Sequence, residues 1–416
     1  MVSSSPATRP VIVRPPLLRR LRRELFASPA DALISVVLIA ALLAVAVGLL
    51  RWATGQAQWL VIQANSTLFA VGRYPIEQQW RLWLLTSLLA ALTGASWGLL
   101  RAWPRPDRPA RLWPRNDRFA VALLAGLALL APLALQLQLA IQLRWWAITA
   151  LLLLARWVAG RWGPRLPARL RRFVPLAWPV LYLLGMVLIN GGLGLMPVPP
   201  SEWGGLLLTL IEASFAILLC FPLGILLALG RRSELPLLRW GSVIYIEFIR
   251  GAPLITLLFL GQNILGFLLP GGLAPERVWR AAWVLTFFAA AYVAEAVRSG
   301  LVALPRGQME AARSLGLAVP QALIHVVLPQ ALRVALPATV GQFITLLQDT
   351  TLLSLIGLLD LLGTARTVMA NPAFLGKNAE VYLVLAVLFW CCCAALGLGS
   401  RALETRLNTH HTPAKA

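Results

Sequence analysis

The sequence predicts an all-α integral membrane protein with about ten transmembrane helices. Of its 416 residues, 59% are hydrophobic and only 13% are charged. The mean hydropathy of +0.75 lies well above that of soluble domains. The apolar residues fall in long runs, and a helical run of about 20 residues is long enough to cross the hydrocarbon core of a bilayer. These observations favour a polytopic membrane protein over a soluble fold.

Ten long apolar runs are the candidate spans. In the first half they cover residues 32–50, 82–100, 119–135, 145–160 and 173–195. In the second half they cover residues 206–229, 241–269, 281–304, 334–359 and 381–398. The third and fourth runs are short and have glutamines between them, so a re-entrant hairpin at this point would leave eight spans. Both totals are even, so the orientation of the later spans is the same in either case.

Arginine is unevenly distributed among the connecting segments. It is frequent in the N-terminal tail, in residues 101–118 and in residues 161–172, whereas residues 196–205 contain none. Because short cytoplasmic loops are enriched in Lys and Arg, both termini are predicted to be cytoplasmic. The formal net charge of +21 follows from this topology and does not indicate a nucleic-acid surface, since the arginines lie in loops between spans.

A polar segment, residues 305–333, interrupts the apolar runs of the second half. Residues 308–315 favour a short helix, which Gly316 is suited to end. A second short helix is predicted to begin near Pro320 and to end before Pro329. Two short helices of this size could sit in a groove on another protein, and an ordinary connecting loop is the alternative.

The same segment carries a specific motif. It consists of Glu310-Ala311-Ala312, three residues, Gly316, nine residues, Val326, one residue and Leu328-Pro329. This pattern resembles the EAA signature loop of bacterial ABC importer permeases, in which Ile is usual at the position of Val326. In that family the loop binds the cytoplasmic ATPase subunit. The docking residues that the resemblance implies are Arg306, Gly307, Gln308, Glu310, Ala311, Ala312, Gly316, Leu328 and Pro329.

Further matching residues lie throughout the second half, at 247–254, 292–295, 298, 306–308, 329–333 and 349–352. On these residues the chain resembles the polar amino-acid (histidine/glutamine-type) family of ABC importer permeases. The resemblance implies a five-helix type I ABC importer permease core. The additional spans before this core look most like the long M-type permease of general L-amino acid transport systems.

The resemblance implies a division of the chain into four regions. They are a basic cytoplasmic tail (1–31), an additional transmembrane region (32–200), the permease core (201–407) with its docking loop (305–333), and a cytoplasmic C-terminal tail (408–416).

The resemblance also implies a function. The chain is expected to be the membrane-spanning subunit of an ATP-driven, binding-protein-dependent importer, which moves L-amino acids across the bacterial inner membrane by alternating access. The implied partners are a cytoplasmic ABC ATPase dimer, a companion permease subunit and a periplasmic amino-acid-binding protein. An ion-coupled secondary transporter of amino acids is the alternative, because intramembrane Asp and Glu residues could be its coupling sites.

Catalytic motifs are missing from the sequence. It contains no Gly-x-x-x-x-Gly-Lys-Ser/Thr phosphate loop, so ATP hydrolysis is expected in a separate subunit that uses ATP and magnesium. Its histidines are His325, His410 and His411, which form no metal-ligand pattern. The chain itself is therefore expected to be no enzyme and to bind no cofactor or metal.

Four charged residues inside the predicted spans are candidates for a gate. Glu247 and Arg250 lie three residues apart in the seventh span, and Glu295 and Arg298 repeat this spacing in the eighth. Residues at this spacing share a helix face, and charges inside a membrane face protein or water rather than lipid. We expect one cross-helix cluster near the cytoplasmic side, which either rearranges as a gate or fixes the helix register. Pro253 predicts a bend in the seventh span.

A second polar group, Asp349 with Thr350 and Thr351, lies deep in the ninth span. This depth suits a substrate-facing site, with the carboxylate accepting the substrate ammonium group, and capping of a broken helix is the alternative. Glu212, Gln262 and Asn263 are weaker candidates for the substrate pathway. Where relatives often have Lys before Asp-Thr, this chain has Gln348.

Overall fold

The computed structural model describes residues 25–102, 121, 126, 137–165, 168–268, 275–305 and 307–407. Within these residues the chain is helical, and its only β-type pairs are three isolated bridges. Contacts divide the chain into two units, Met1–Gln58 and Trp59–Ala416. Four sequence-based predictions lie largely or wholly outside the described residues: the third span at 119–135, most of the N-terminal tail, the tail at 408–416 and the docking residue Arg306.

In the first unit the described structure is dominated by one long helix, α1 (Pro29–Gly55). Its start follows from its sequence, because Ser28 accepts a hydrogen bond from the Asp31 backbone N–H at 3.1 Å and Pro29 occupies the first turn. The helix confirms the first predicted span and extends it at both ends.

The second unit begins with the remaining helices of the N-terminal half. They are α2 (Leu60–Ala64), α3 (Ser66–Val71), α4 (Gln79–Ala102), α5 (Leu139–Trp162) and α6 (Ala168–Asn190). The fourth predicted span corresponds to α5, whose 24 residues are long enough to cross the hydrocarbon core without forming a hairpin.

The helices of the C-terminal half follow in the same unit. They are α7 (Gly205–Gly230), α8 (Pro236–Gly251), α9 (Leu254–Leu268), α10 (Arg277–Val302), α11 (Gly307–Ser314), α12 (Val319–Ala322), α13 (Leu328–Asp349), α14 (Leu361–Met369) and α15 (Asn378–Leu407). A 3-10 helix, Thr350–Ile356, follows α13 directly.

The seventh predicted span is present as two helices rather than as one straight helix. It consists of α8 and α9, which meet at an angle of 106°. The break lies at Ala252 and Pro253: Ala252 has extended backbone angles, and the proline ring leaves the Ile249 carbonyl without its helical donor. The bend predicted from Pro253 is confirmed. The described residues thus supply eight long apolar helices, or nine when this bent pair is counted as one span.

Close helix contacts at glycines bring α7, α10 and α13 together. A Cβ at Gly224 of α7 would lie 2.6 Å from Val293 of α10. A Cβ at Gly300 of α10 would collide with the Ala331 carbonyl and lie 3.0 Å from the Ala335 methyl, both on α13. Small residues at these crossings let the backbones approach closely. Helix α10 is consequently the most buried span and forms the centre of the core.

The N-terminal half is joined to the start of the core at one end of the helices. Within this half, Tyr74 donates its hydroxyl to the Ile189 carbonyl at 2.9 Å and Arg81 donates to the Met196 carbonyl at 2.8 Å, which holds this region against the chain that leads to the core. Gly72 pairs with Trp203 just before α7 begins. Trp279, near the start of α10, contacts Trp203 with ring centroids 5.9 Å apart. The polar loop follows the other end of α10, which is 26 residues long and spans about 39 Å.

Candidate functional site

The polar segment 305–333 folds as two short helices, with one difference from the prediction. Helix α11 ends at Ser314, and Gly316 adopts a left-handed backbone with φ of 84°. The second helix, α12, does not end before Pro329 but runs through a π-helical turn, Leu323–Val327, straight into α13. Pro329 is accommodated because it lies in the first turn of α13, where a backbone N–H is not needed.

The predicted docking residues divide into an exposed and an inner set. The exposed ones are Gly307, Glu310, Ala311, Gly316 and Pro329. In the inner set, Gln308 and Leu328 are half-buried and Ala312 is buried. Sequence reasoning missed three apolar side chains beside them, Leu315, Val319 and Ile324, of which Leu315 is 84% exposed. The sequence feature that could have identified them is their apolar character within an otherwise polar segment.

A glutamine pair ties the loop to the core. The Gln330 side-chain amide donates to the Gln308 side chain at 3.0 Å and to the Val326 carbonyl at 2.9 Å. Met309 packs against the core cluster beneath α11. Helix α11 is therefore linked directly to the first turns of α13.

Glu295 of α10 is the centre of an ion-pair cluster. Its carboxylate lies 2.9 Å from Arg231, 2.9 Å from Arg298 and 3.7 Å from Arg250. Arg231 also lies 3.0 Å from Glu247. The Arg250 guanidinium stands 5.6 Å from the centre of the Tyr292 ring, within cation–π distance. The predicted cross-helix cluster is thus present, and three guanidinium groups face two carboxylates in it.

The structure specifies which charges pair inside this cluster. Glu295 and Arg298 do pair along α10, but Arg250 pairs with Glu295 and Glu247 pairs with Arg231. Arg231, directly after α7, was missed because it reads as an ordinary basic residue at the end of a span. It joins the end of α7 to both α8 and α10.

The cluster and the docking loop are close along α10. Gly300, which contacts Ala331 of α13, lies one to two turns after Glu295. Ala331 in turn follows Pro329 at the end of the loop. A shift of the loop therefore needs to pass through only one helix crossing to reach the ion pairs.

Asp349 and its two threonines mark the point where α13 becomes a 3-10 helix. Thr350 donates its hydroxyl to the Leu347 carbonyl at 2.7 Å, and Thr351 donates to the Gln348 carbonyl at 2.8 Å. Both hydroxyls thus bind carbonyls at the end of α13, whereas the Asp349 side chain makes no capping hydrogen bond to the 3-10 helix. Asp349 is half-buried, and no hydrogen bond to its carboxylate is found among the described residues.

The other pathway candidates lie elsewhere. The Gln262 side chain donates to the Arg277 carbonyl at 2.6 Å and so links α9 to α10, and Asn263 donates to Phe259 within α9 at 3.0 Å. Glu212 of α7 is fully buried, and neither carboxylate oxygen has a hydrogen-bond partner among the described residues. No hydrogen bond or ion pair in the described ranges joins Glu212, Gln262 and Asp349.

Asp360, which the sequence did not single out, lies near Glu212. It begins α14 by accepting hydrogen bonds at 3.0 Å from the backbone N–H groups of Leu362 and Gly363. Burial raises the pKa of its carboxyl to about 7, against the opposing effect of these two bonds.

Residues 220–409 match the family described as "Binding-protein-dependent transport system inner membrane component". The "Inner membrane amino-acid ABC transporter permease protein YhdY" of Escherichia coli (strain K12) is 42% identical over 272 residues, which cover 65% of this chain and 74% of that protein.

A second relative extends over more of the chain. The "Glutamate/glutamine/aspartate/asparagine transport system permease protein BztC" of Rhodobacter capsulatus is 36% identical over 373 residues, which cover 87% of this chain and 82% of that protein.

Among solved structures, an "amino acid ABC transporter with histidines" shares 30% identity over 49% of this chain and 92% of that one, with a TM-score of 0.44.

The two long relatives support an ABC permease and not the ion-coupled secondary transporter. The chain therefore belongs to the family of membrane-spanning permease components of binding-protein-dependent ABC transporters.

Proposed function

We propose that this permease moves L-amino acids of the polar type, over a broad range, across the bacterial inner membrane. The observation that carries the proposal is the long match to BztC, whose name gives both acidic and amide amino acids as cargo. The closer relative YhdY is likewise named as an amino-acid permease.

The loop at 305–333 is the site where a cytoplasmic ABC ATPase docks. Its exposed face combines Glu310 and Ala311 with the apolar Leu315, Val319 and Ile324, a mixture suited to a groove on another protein. The ATPase subunits consume ATP and magnesium, and this chain hydrolyses none. Both termini and this loop are on the cytoplasmic side, in agreement with the distribution of arginine.

The ion-pair cluster around Glu295 is the cytoplasmic gate. ATP-driven closure of the ATPase dimer shifts α11, the Gln308–Gln330 contact carries the shift to α13, and the Gly300 crossing passes it to α10. The charges on α7, α8 and α10 then exchange partners as the pathway changes from inward-open to outward-open. A companion permease completes the pathway, and a periplasmic binding protein delivers the substrate.

Two measurements test this function. ATP-dependent uptake of labelled L-glutamate and L-glutamine is expected in proteoliposomes that hold this chain with the ATPase, the companion permease and the binding protein encoded near it. Uptake driven by an ion gradient without ATP would contradict the proposal.

The gate is tested separately with Glu295→Gln. We expect normal assembly with the ATPase but altered coupling of ATP hydrolysis to uptake. Loss of the assembled complex would instead indicate that the cluster only stabilises the fold.

A further inference from the structure

The apolar face of α14 lies in a buried cluster to which helices α2 and α3, here called the α2–α3 segment (residues 60–71), also contribute. The cluster holds Val61, Ile62 and Phe69 from the segment, Leu361, Ala365 and Val368 from α14, and Val381 and Leu385 from α15. Each of these side chains is at most 5% exposed. The contact is therefore as closed as a domain interior, and the segment lies outside the residues that the family model matches.

Whereas the contact of α14 with the segment is apolar, its contact with the start of α7 consists of hydrogen bonds. The Leu361 backbone N–H donates to the Thr209 hydroxyl at 3.0 Å. The Gly205 N–H donates to the Leu359 carbonyl at 2.8 Å. Hydrogen bonds of this kind hold one geometry and are costly to leave unmade when buried. An apolar contact is non-directional, so it can separate and close again without leaving donors unpaired. If α14 moves, it pivots at α7 and parts from the α2–α3 segment.

The chain on either side of α14 is suited to such a pivot. Gly357 before it and Gly376 after it both adopt left-handed backbones, with φ of 79° and 80°. Only glycine takes up this region freely. The 3-10 helix Thr350–Ile356 links α14 to the end of α13, where Asp349 lies. Movement of α14 would thus uncover the 3-10 helix that follows Asp349.

We propose that the α2–α3 segment is a part of the external gate, built into the same chain, that holds α14 closed over the outer end of the pathway. Substrate entry then requires α14 to leave the segment. The contact itself is independent of the transported molecule, but its consequence for transport rests on the proposed function and orientation.

The first experiment measures access beneath α14. Ser354 is half-buried, and its Cβ lies 3.4 Å from the position of a Cβ at Gly363 of α14. A Ser354→Cys reporter in the full chain, in lipid nanodiscs, is labelled with a maleimide, and the rate is followed peptide by peptide with mass spectrometry. Combination with Phe69→Ala is expected to raise the labelling rate at position 354 by about tenfold, because the large cavity favours the open form.

Two controls separate this result from a general loosening of the fold. Leu60→Ala changes a 65% exposed side chain of the same segment and is expected to leave the rate unchanged. Cys220, which is fully buried in α7, reports on the rest of the core. An unchanged rate at position 354 in the Phe69→Ala chain, or an equal increase at Cys220, would overturn the proposal.

The second experiment prevents the separation. Leu68 and Thr367 line the same small crevice between α3 and α14. With both replaced by cysteine, a disulfide-containing bismaleimide tethers the two elements in the complete transporter. Amino-acid uptake is expected to fall by about tenfold and to return on reduction of the linker. A chain without the two new cysteines, treated in the same way, controls for the native thiols.

The second experiment distinguishes failure of the gate proposal from failure of the proposed function. Complete tethering with undiminished uptake overturns the gate. Absence of ATP-dependent uptake in the untreated complex would instead contradict the proposed function, and the labelling rates would still decide whether the segment holds α14.

Discussion

Arg231, directly after α7, and Glu295, in the last third of α10, form an ion pair of 2.9 Å. The same guanidinium lies 3.0 Å from Glu247 of α8, so one side chain bridges three helices. Only 26% of the Arg231 side chain and 16% of the Glu295 side chain are exposed, which limits screening by water and salt. Arg231 is therefore the residue through which rearrangement of α8 and α10 is coupled to α7.

We expect Arg231→Gln to lower the free energy of unfolding by about 1–2 kcal/mol, since Glu295 loses one of its ion pairs and Glu247 loses the one ion pair that it forms within the described residues. It should also raise the ATPase activity of the complex in the absence of substrate, because the gate is weakened. Thermal unfolding in nanodiscs and steady-state ATP hydrolysis measure the two effects. The neighbouring Arg232→Gln is the matched control, and equal effects in both variants would remove the special role of Arg231.

Gly300→Ala tests the crossing of α10 and α13. The added methyl group would collide with the Ala331 carbonyl, which is backbone and cannot rotate away. We expect a loss of about 1–3 kcal/mol in the free energy of unfolding, as for other overpacked cores. Gly341→Ala, in α13 with nothing within 4 Å, should leave stability unchanged or increase it. Equal melting temperatures for the two variants would show that the helices do not cross as closely as described.

Leu315→Asp tests the docking face. A charge at this 84% exposed position leaves the fold of this chain intact, but at the centre of an interface it should weaken ATPase binding by at least about tenfold, or about 1.4 kcal/mol. Recovery of the ATPase in affinity purification of the permease measures the loss. Leu193→Asp, 93% exposed at the opposite end of the helices, is the control. Undiminished recovery with Leu315→Asp would place the docking surface elsewhere.

Asp360 predicts a dependence of stability on pH. Its pKa of about 7 in the folded chain lies above the usual aspartate value, which is about 3.9 in an unfolded chain. Between these values the unfolded chain releases the proton and the folded chain keeps it, so the free energy of unfolding falls as the pH rises from about 4 to about 7. The contribution of Asp360 to the free energy of unfolding is therefore fully present below the pKa of the unfolded chain, and it is lost as the pH rises towards the pKa of the folded chain.

Asp360→Asn removes this titration while keeping an oxygen that can accept a hydrogen bond at the start of α14. We expect the free energy of unfolding to change less between about pH 5 and about pH 8 in the variant than in the parent chain, by an amount on the order of 1–4 kcal/mol. Melting temperatures of the two chains at these pH values measure the difference. Identical pH profiles would show that the Asp360 carboxyl does not titrate in this range.

Local chemistry was enough to predict part of this structure. The apolar runs predicted most spans, and the EAA pattern located the loop whose Gly316 ends α11. Pro253 predicted the bend, although the 106° angle depends on packing against α10 and could not be derived from the proline alone.

The parts that sequence reasoning missed depend on contacts between distant residues. Arg231 meets Glu295 across 64 positions of the sequence, and no local pattern marks it. Glu247 and Arg250 share a helix, as the spacing predicts, but which distant charge each one meets depends on how α7, α8 and α10 pack. The docking, gate and pathway roles themselves remain predictions.

The cover that Phe69 forms over α14 also limits how this protein can be shortened. A fragment that begins near residue 201 would keep every residue that resembles a core-sized permease, yet it would leave Leu361, Ala365 and Val368 with only the apolar partners that α15 supplies and without those of the α2–α3 segment. Such a fragment is expected to aggregate or to recruit a substitute surface. For this chain, the smallest unit that can be expressed alone therefore includes the loop between its first two spans.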